Sequence, residues 1–531
     1  MVSNERSVSR RRVLRVGGGA ALLGIAGSRG VNGIESEPVN GSQEEGSGNE
    51  QDATLVATEG QAEVAPGETG NTWLYDDRYP GPELRVSEGD TLRVSVENRL
   101  PEGTTVHWHG VPVPNPMDGV PNVTQDPVSP GETFMYEYEA SPAGTYVYHS
   151  HVGLQLDRAL NGPLIVEEES PHVKYDREHT LVVDDFFAGD PKLDSIEAPP
   201  GGGRGGGGDG GGPGGGGGPG GGGGGGPGGG GGGPGGGGGP GGGGPGGGGP
   251  GGGGGPGGGG RNGGMGGGGP MQDRRPPYEG MVVNGRLPSD PPVFDVQEGE
   301  RVRLRFINPG GATTYRVGIG GHSMTVTHTD GRPVEPVDVD SFYISMGERY
   351  DAIVEADSPG DWAIVASPVV GSERPAEAIL RYDSTPEGNS AGRPQFDGRT
   401  LQYGDLRALE PLDVGGTPDR TFDFTLSGGM MQEPGAWTID GQAYPDADPL
   451  EISKGEHVRV RMVNRSPAIH PMHLHGHFFQ VGDAVMDTVL VPPHRGQVTF
   501  DFLADNPGDW LFHCHNNYHL ERGMARVFEY V

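Results

Sequence analysis

The chain has 531 residues, 107 of them glycine, and a formal net charge of −34 at pH 7. So acidic a balance excludes nucleic acid and anionic membrane surfaces as partners. A single cysteine, Cys514, excludes an internal disulfide framework and any zinc site built from several thiolates. Only three of the 38 basic residues are lysine (Lys174, Lys192, Lys454), which suggests adaptation to high salt, where screening weakens self-repulsion.

At the N-terminus, Ser9-Arg10-Arg11-Arg12 precedes a small-residue apolar stretch from Val16 to Gly27, too short and glycine-rich to span a bilayer. Residues 1–33 therefore read as a Tat-type export signal, and an extracellular or cell-surface location without stable membrane insertion is expected. Residues 34–54, rich in Glu, Ser, Gly and Asn, read as a disordered acidic linker.

Beyond the linker the chain repeats itself. Glu88 to Arg99 (EGDTLRVSVENR) recurs as Glu298 to Pro309 (EGERVRLRFINP) and as Lys454 to Arg465 (KGEHVRVRMVNR). Each is a turn followed by alternating apolar and polar residues, the pattern of a half-buried strand. A second element also occurs three times, at Pro142 to Tyr148, Pro359 to Ile364 and Pro507 to Phe512. The first copy continues as His149-Ser150-His151, the second as Val365-Ala366-Ser367 and the third as His513-Cys514-His515. The middle copy thus has the scaffold without the ligands. A histidine cluster would have to form where the first and third copies meet.

Between the first two copies lies a stretch of almost pure glycine and proline, residues 201–269. It has no apolar content to bury and is expected to be a disordered loop inside the middle domain. Its only methionine is Met265, with Met271 just beyond it.

Ten of the 17 histidines fall in four clusters: His107-Trp108-His109, His149-Ser150-His151, His470-Pro471-Met472-His473-Leu474-His475 and His513-Cys514-His515 with His519. On a strand the two histidines of H-x-H share a face, with Cα atoms roughly 6.6 Å apart, so they can serve neighbouring metal ions. Cys514 would point to the opposite face. Two histidines, one thiolate and a weak methionine make a blue-copper site, and imidazole suits copper elsewhere.

These segments, with Met524 ten residues after Cys514, resemble the multicopper oxidases, the family of laccases, bilirubin oxidases and cuprous oxidases. The resemblance implies an all-β chain of three cupredoxin-like Greek-key β-barrel domains, placed here at 55–170, 171–390 and 391–531. It implies four copper ions. His470, Cys514, His519 and Met524 would hold type 1 copper, and His107 and His473 type 2 copper. His109, His149, His151, His475, His513 and His515 would hold the type 3 pair. Cys514 would carry electrons, and Asp118 stands where relatives place an acid beside the cluster. Several bacterial members put a glutamate directly after the residue matching His519; here Leu520 stands there, with Glu521 next.

The implied reaction is laccase-like: one-electron oxidation of phenols or aromatic amines near His470 and His519, coupled to reduction of O2 to water. The acid with which some fungal laccases hold a phenol falls among uncharged residues here, Ala312 to Tyr315. Met430-Met431 could present Cu(I), which makes cuprous oxidase the alternative. A copper nitrite reductase or an electron-transfer cupredoxin would leave most of the histidines without a task. One chain carries both half-sites, so a monomer is expected. The sequons at Asn40, Asn122 and Asn464 permit glycosylation.

Overall fold

The computed structural model describes residues 49–196, 275–385, 390–428 and 435–531. The export signal, most of the acidic linker, the glycine-proline insert and Met430-Met431 lie outside the described residues. The strands form six sheets that fall, in chain order, into three consecutive pairs.

The repeats build equivalent strands in each pair. Thr91–Asn98, Arg301–Ile307 and His457–Asn464 each lie parallel to the strand that opens their copy, respectively Glu50–Ala65, Arg177–Phe186 and Arg420–Gly428. The opposite sheet of each pair also contains a parallel pairing: Leu84–Ser87 with Asn161–Glu167, Val293–Val296 with Ala376–Tyr382, and Leu450–Ile452 with Ala525–Tyr530. Parallel neighbours distant in sequence require crossovers between the sheets, and the result is three cupredoxin-like Greek-key barrels. Thr91–Asn98 shows why the strands settle this way: every second residue is buried, as its alternating sequence dictates.

Two boundaries differ from the expectation. The first strand starts at Glu50, inside the stretch read as linker, because Glu50 to Leu55 pair in register with Thr91 to Val96. Polar composition suggested a tether; a neighbouring strand edge with free backbone groups takes these residues into the sheet. The middle copy also extends past 390. Gly392, Thr400 and Ala408 bridge onto Trp362, Ser341 and Val334, and the third copy's first strand begins only at Arg420.

The next-to-last residue of each repeat is a fully buried asparagine, and all three do the same work. The Asn98 side-chain amide donates to the carbonyls of Glu102 and Val128, while its oxygen accepts from the Leu100 N–H. Asn308 and Asn464 repeat the arrangement on Thr313 and Ile344, and on Ala468 and Val491. Each asparagine therefore shapes the loop that leaves its strand; in the first and third copies that loop leads to His107 and His470. Because Asn464 is 0% exposed and spends its amide internally, its sequon is closed in the folded chain. Asn464→Ala is expected to leave buried carbonyls unpaired and to lower unfolding free energy by about 2–4 kcal/mol, read from denaturant melts.

Candidate metal centre

Strand alternation decides where each histidine goes. In His107–His109 the central Trp108 enters the first barrel's core against Tyr136, Tyr138 and Tyr148, so both histidines face the opposite way. In Asp509–Cys514, Phe512 and Cys514 join the third barrel's core, while His513 points out of it. His470–Leu474 behaves alike: Met472 and Leu474 face the core and His473 the other side. Backbone pairing aligns the segments, with His107 opposite His149, His473 opposite His513 and Met472 opposite Cys514.

The outcome is two adjacent clusters. At the end of the third barrel, ligand atoms of His470, Cys514 and His519 lie within 4.8 Å of one another. The Cys514 Sγ is 3.5 Å from the Nδ1 atoms of both histidines. Met524 is fully buried, and its carbonyl accepts the Cys514 N–H. Asn516 caps the single helical turn Asn517–Leu520 that carries His519, accepting from the N–H groups of Tyr518 and His519.

Between the first and third copies the other eight histidines form one nest. His109, His149 and His515 make one triad, His151, His475 and His513 another, and His107 and His473 close the nest with His109. Rings touch across the domain junction: His107 and His475 have centroids 3.9 Å apart, His109 and His473 3.8 Å.

The hydrogen bonds fix which nitrogen of each ring faces inward. The Nδ1 atoms of His107, His149, His473 and His513 donate to the backbone carbonyls of Asp118, Ser150, Asp487 and Cys514. His109 is turned round, with Nε2 donating to Asp487 Oδ1 at 3.1 Å. His475 Nδ1 donates to the Asp118 carboxylate at 3.0 Å. The remaining nitrogens of His107, His109, His149 and His473, and both of His515, have no hydrogen-bond partner although buried. The Nε2 atoms of His475 and His513, each with its proton on the far side of the ring, face each other at 3.0 Å. Two lone pairs at that distance repel unless a cation lies between them. In the other cluster His470 Nε2 donates to the Ser466 hydroxyl, and its bare Nδ1 faces the His519 Nδ1 at 3.2 Å.

Burial first, then neighbouring imidazoles, holds His109, His151, His475, His513 and His515 well below the ordinary imidazole range. Burial brings His149 and His470 down to about 3. The rings are therefore neutral, the form that ligates metal. Orphaned, inward-facing imidazole nitrogens together with one cysteine sulfur fit copper.

Sequence reasoning missed several neighbours of these clusters. Asp487 and Thr488 touch His109 and His473. Ser466 holds His470, and the Trp437 indole lies against His519 with centroids 3.9 Å apart. None belongs to a histidine motif; a lone aspartate between two apolar strands, Ala484–Met486 and Thr488–Val491, was the one available signal. Of the histidines outside the motifs, His477 binds Tyr530 and His328 binds Glu168, both structural contacts. Leu520 helps wall a cavity of about 10 Å³ beside His149, His151, His513 and His515. Glu521 faces an outer pocket of about 490 Å³ that includes Leu154, Arg158 and Leu193.

Three family models, each described as multicopper oxidase, match residues 56–171, 261–385 and 417–531. The chain is 33% identical to multicopper oxidase MmcO of Mycobacterium tuberculosis, over 91% of this chain and 88% of that protein. It is 26% identical to copper resistance protein A of Escherichia coli over 98% of both, and 26% identical to Laccase-2 of Botryotinia fuckeliana over 89% and 81%. Among solved structures, a multi-copper oxidase from Pseudomonas Thermotolerans superimposes with a TM-score of 0.62 at 26% identity, covering 91% of this chain and all of that one. Fet3p, a multicopper oxidase that functions in iron import, gives 0.70 at 20% identity over 91% and 90%.

Proposed function

Since the chain belongs to the multicopper oxidase family, we propose that it oxidises phenols and aromatic amines one electron at a time and passes the electrons to O2. The observation that carries this reading is the pair of adjacent clusters: a cysteine sulfur with two imidazoles beside a nest of eight histidines whose free nitrogens face inward. A carrier protein or a nitrite reductase has no task for that nest.

His470, Cys514 and His519, with Met524 as a weak fourth partner, would hold type 1 copper. His107 and His473 would hold type 2 copper, and the two triads the type 3 pair. When bound, the four coppers supply the one-electron transfers that reduce O2 to water. The rest is the work of side chains. The Cys514 backbone joins its own sulfur to the flanking imidazoles of His513 and His515 through a few covalent bonds. Burial of the nest excludes bulk water from its free nitrogens. The Asp118 carboxylate, fully buried and accepting from His475 Nδ1, is placed to hold a proton and release it toward the nest. Gly119 makes that placement possible: with φ +81°, it lets the chain pass so close to Val106 that a Cβ would lie 1.9 Å from the Val106 oxygen. A donor molecule would meet Trp437 before either histidine, because His470 is 0% exposed, His519 4% and Trp437 8%.

Oxidation of Cu(I) is the second reading, favoured by the likeness to copper resistance protein A. The N-terminal sequence supports Tat export, the charge supports work in high salt, and both half-sites on one chain support a monomer. No helix among the described residues is long and apolar enough to cross a membrane.

The test is copper per chain, an absorption spectrum and O2 uptake, all in high salt. About four coppers, a thiolate band at about 600 nm, a shoulder at about 330 nm and O2 uptake with a phenol are expected. One copper, or no O2 uptake with any donor, overturns the reading. Uptake with Cu(I) and not with phenols moves the assignment to the second.

A further inference from the structure

The middle copy supplies no histidine to the nest, yet its loop from Ser345 to Arg349 forms part of the wall. Gly347, at φ +87°, packs its backbone against histidine rings from both other copies. A Cβ there would lie 2.9 Å from His109 Cε1 and 2.9 Å from His515 Cδ2, so a larger residue has no room. Two residues on, the Arg349 guanidinium is completely buried. It donates to both oxygens of Asp487, at 2.8 and 2.6 Å, and to the carbonyls of Gly347 and Thr145 at 2.8 and 3.1 Å. Asp487 accepts from His109 Nε2 with a side-chain oxygen and from His473 Nδ1 with its carbonyl. Asp330, also of the middle copy, accepts the backbone N–H groups of Arg349, Asp487 and Thr488. One arginine therefore ties all three copies together at a point one hydrogen bond from two rings of the nest.

We infer that Arg349 is a positioning residue for copper: by clamping Asp487 it fixes the ring orientation and the inward-facing nitrogens of His109 and His473. The middle domain thereby acts on the metal site without a ligand of its own. The two-point fork suits this role, because a carboxylate gripped at both oxygens cannot rotate away from His109, whereas lysine would hold it at one. This inference rests on the proposed assignment of those histidines to copper.

The test uses full-length Arg349→Met and Arg349→Lys chains beside the parent, loaded with copper. The 600-nm thiolate band serves as an internal fold marker, and the paramagnetic resonance signal of non-blue copper as the readout. Arg349→Met is expected to keep the blue band while binding non-blue copper about 10–100-fold more weakly, with Arg349→Lys in between. Unchanged non-blue copper in Arg349→Met would overturn the inference. So would loss of the blue band together with the non-blue signal in both variants, since Arg349 would then be a general folding residue. A parent chain that binds no non-blue copper would instead overturn the underlying assignment.

Discussion

Cys514→Ser is expected to abolish the blue absorption band and all O2 uptake with organic donors while leaving the fold intact. Serine is close to cysteine in size, and Cys514 is packed at 0% exposure among Phe512, Met524 and Tyr518, so the third barrel should lose little stability. What it loses is the soft, deprotonable sulfur 3.5 Å from two neutral imidazoles. A serine hydroxyl stays protonated and does not form a copper–thiolate bond. The nest of eight histidines is built by other side chains and should still bind copper, so a chain with roughly three coppers and no blue colour is the expected product. Metal analysis and a visible spectrum on one sample check this. A blue band persisting in Cys514→Ser would mean that the sulfur is not a ligand.

Asp118→Asn should give the second largest effect, with the opposite signature: full colour and slow turnover. The asparagine keeps the shape of the side chain, and the Asp118 backbone carbonyl that accepts from His107 Nδ1 is untouched. The amide oxygen can still accept from His475 Nδ1, but unlike the carboxylate it replaces, it cannot carry a proton. A positioned acid typically contributes ~10²–10⁴-fold, so O2-dependent turnover is expected to fall by about two to three orders of magnitude. Reduction of the blue copper by the donor, followed anaerobically by stopped flow, should be unaffected. If that half-reaction slows equally, Asp118 acts on structure and not on proton supply.

Sequence by itself determined the three repeated strands, the absence of the histidines from the middle copy and the four histidine clusters. Their signals are local: a two-residue period, a turn, an H-x-H spacing. The alternation of faces even separates Cys514 from His513, because a strand obeys that rule wherever it is placed. The extent of the first strand was not legible, since Glu50 to Leu55 become strand only through a partner some forty residues away. The same holds for the surroundings of the metal site. Asp487 meets His109 across 378 residues of sequence, and Arg349 meets Asp487 across 138. No periodicity marks such pairs, because they depend on how one barrel is set against the next. The histidine clusters are a property of short segments; the orientation of each ring, and the contact of Arg349 with Asp487, exist only once three domains have packed against one another.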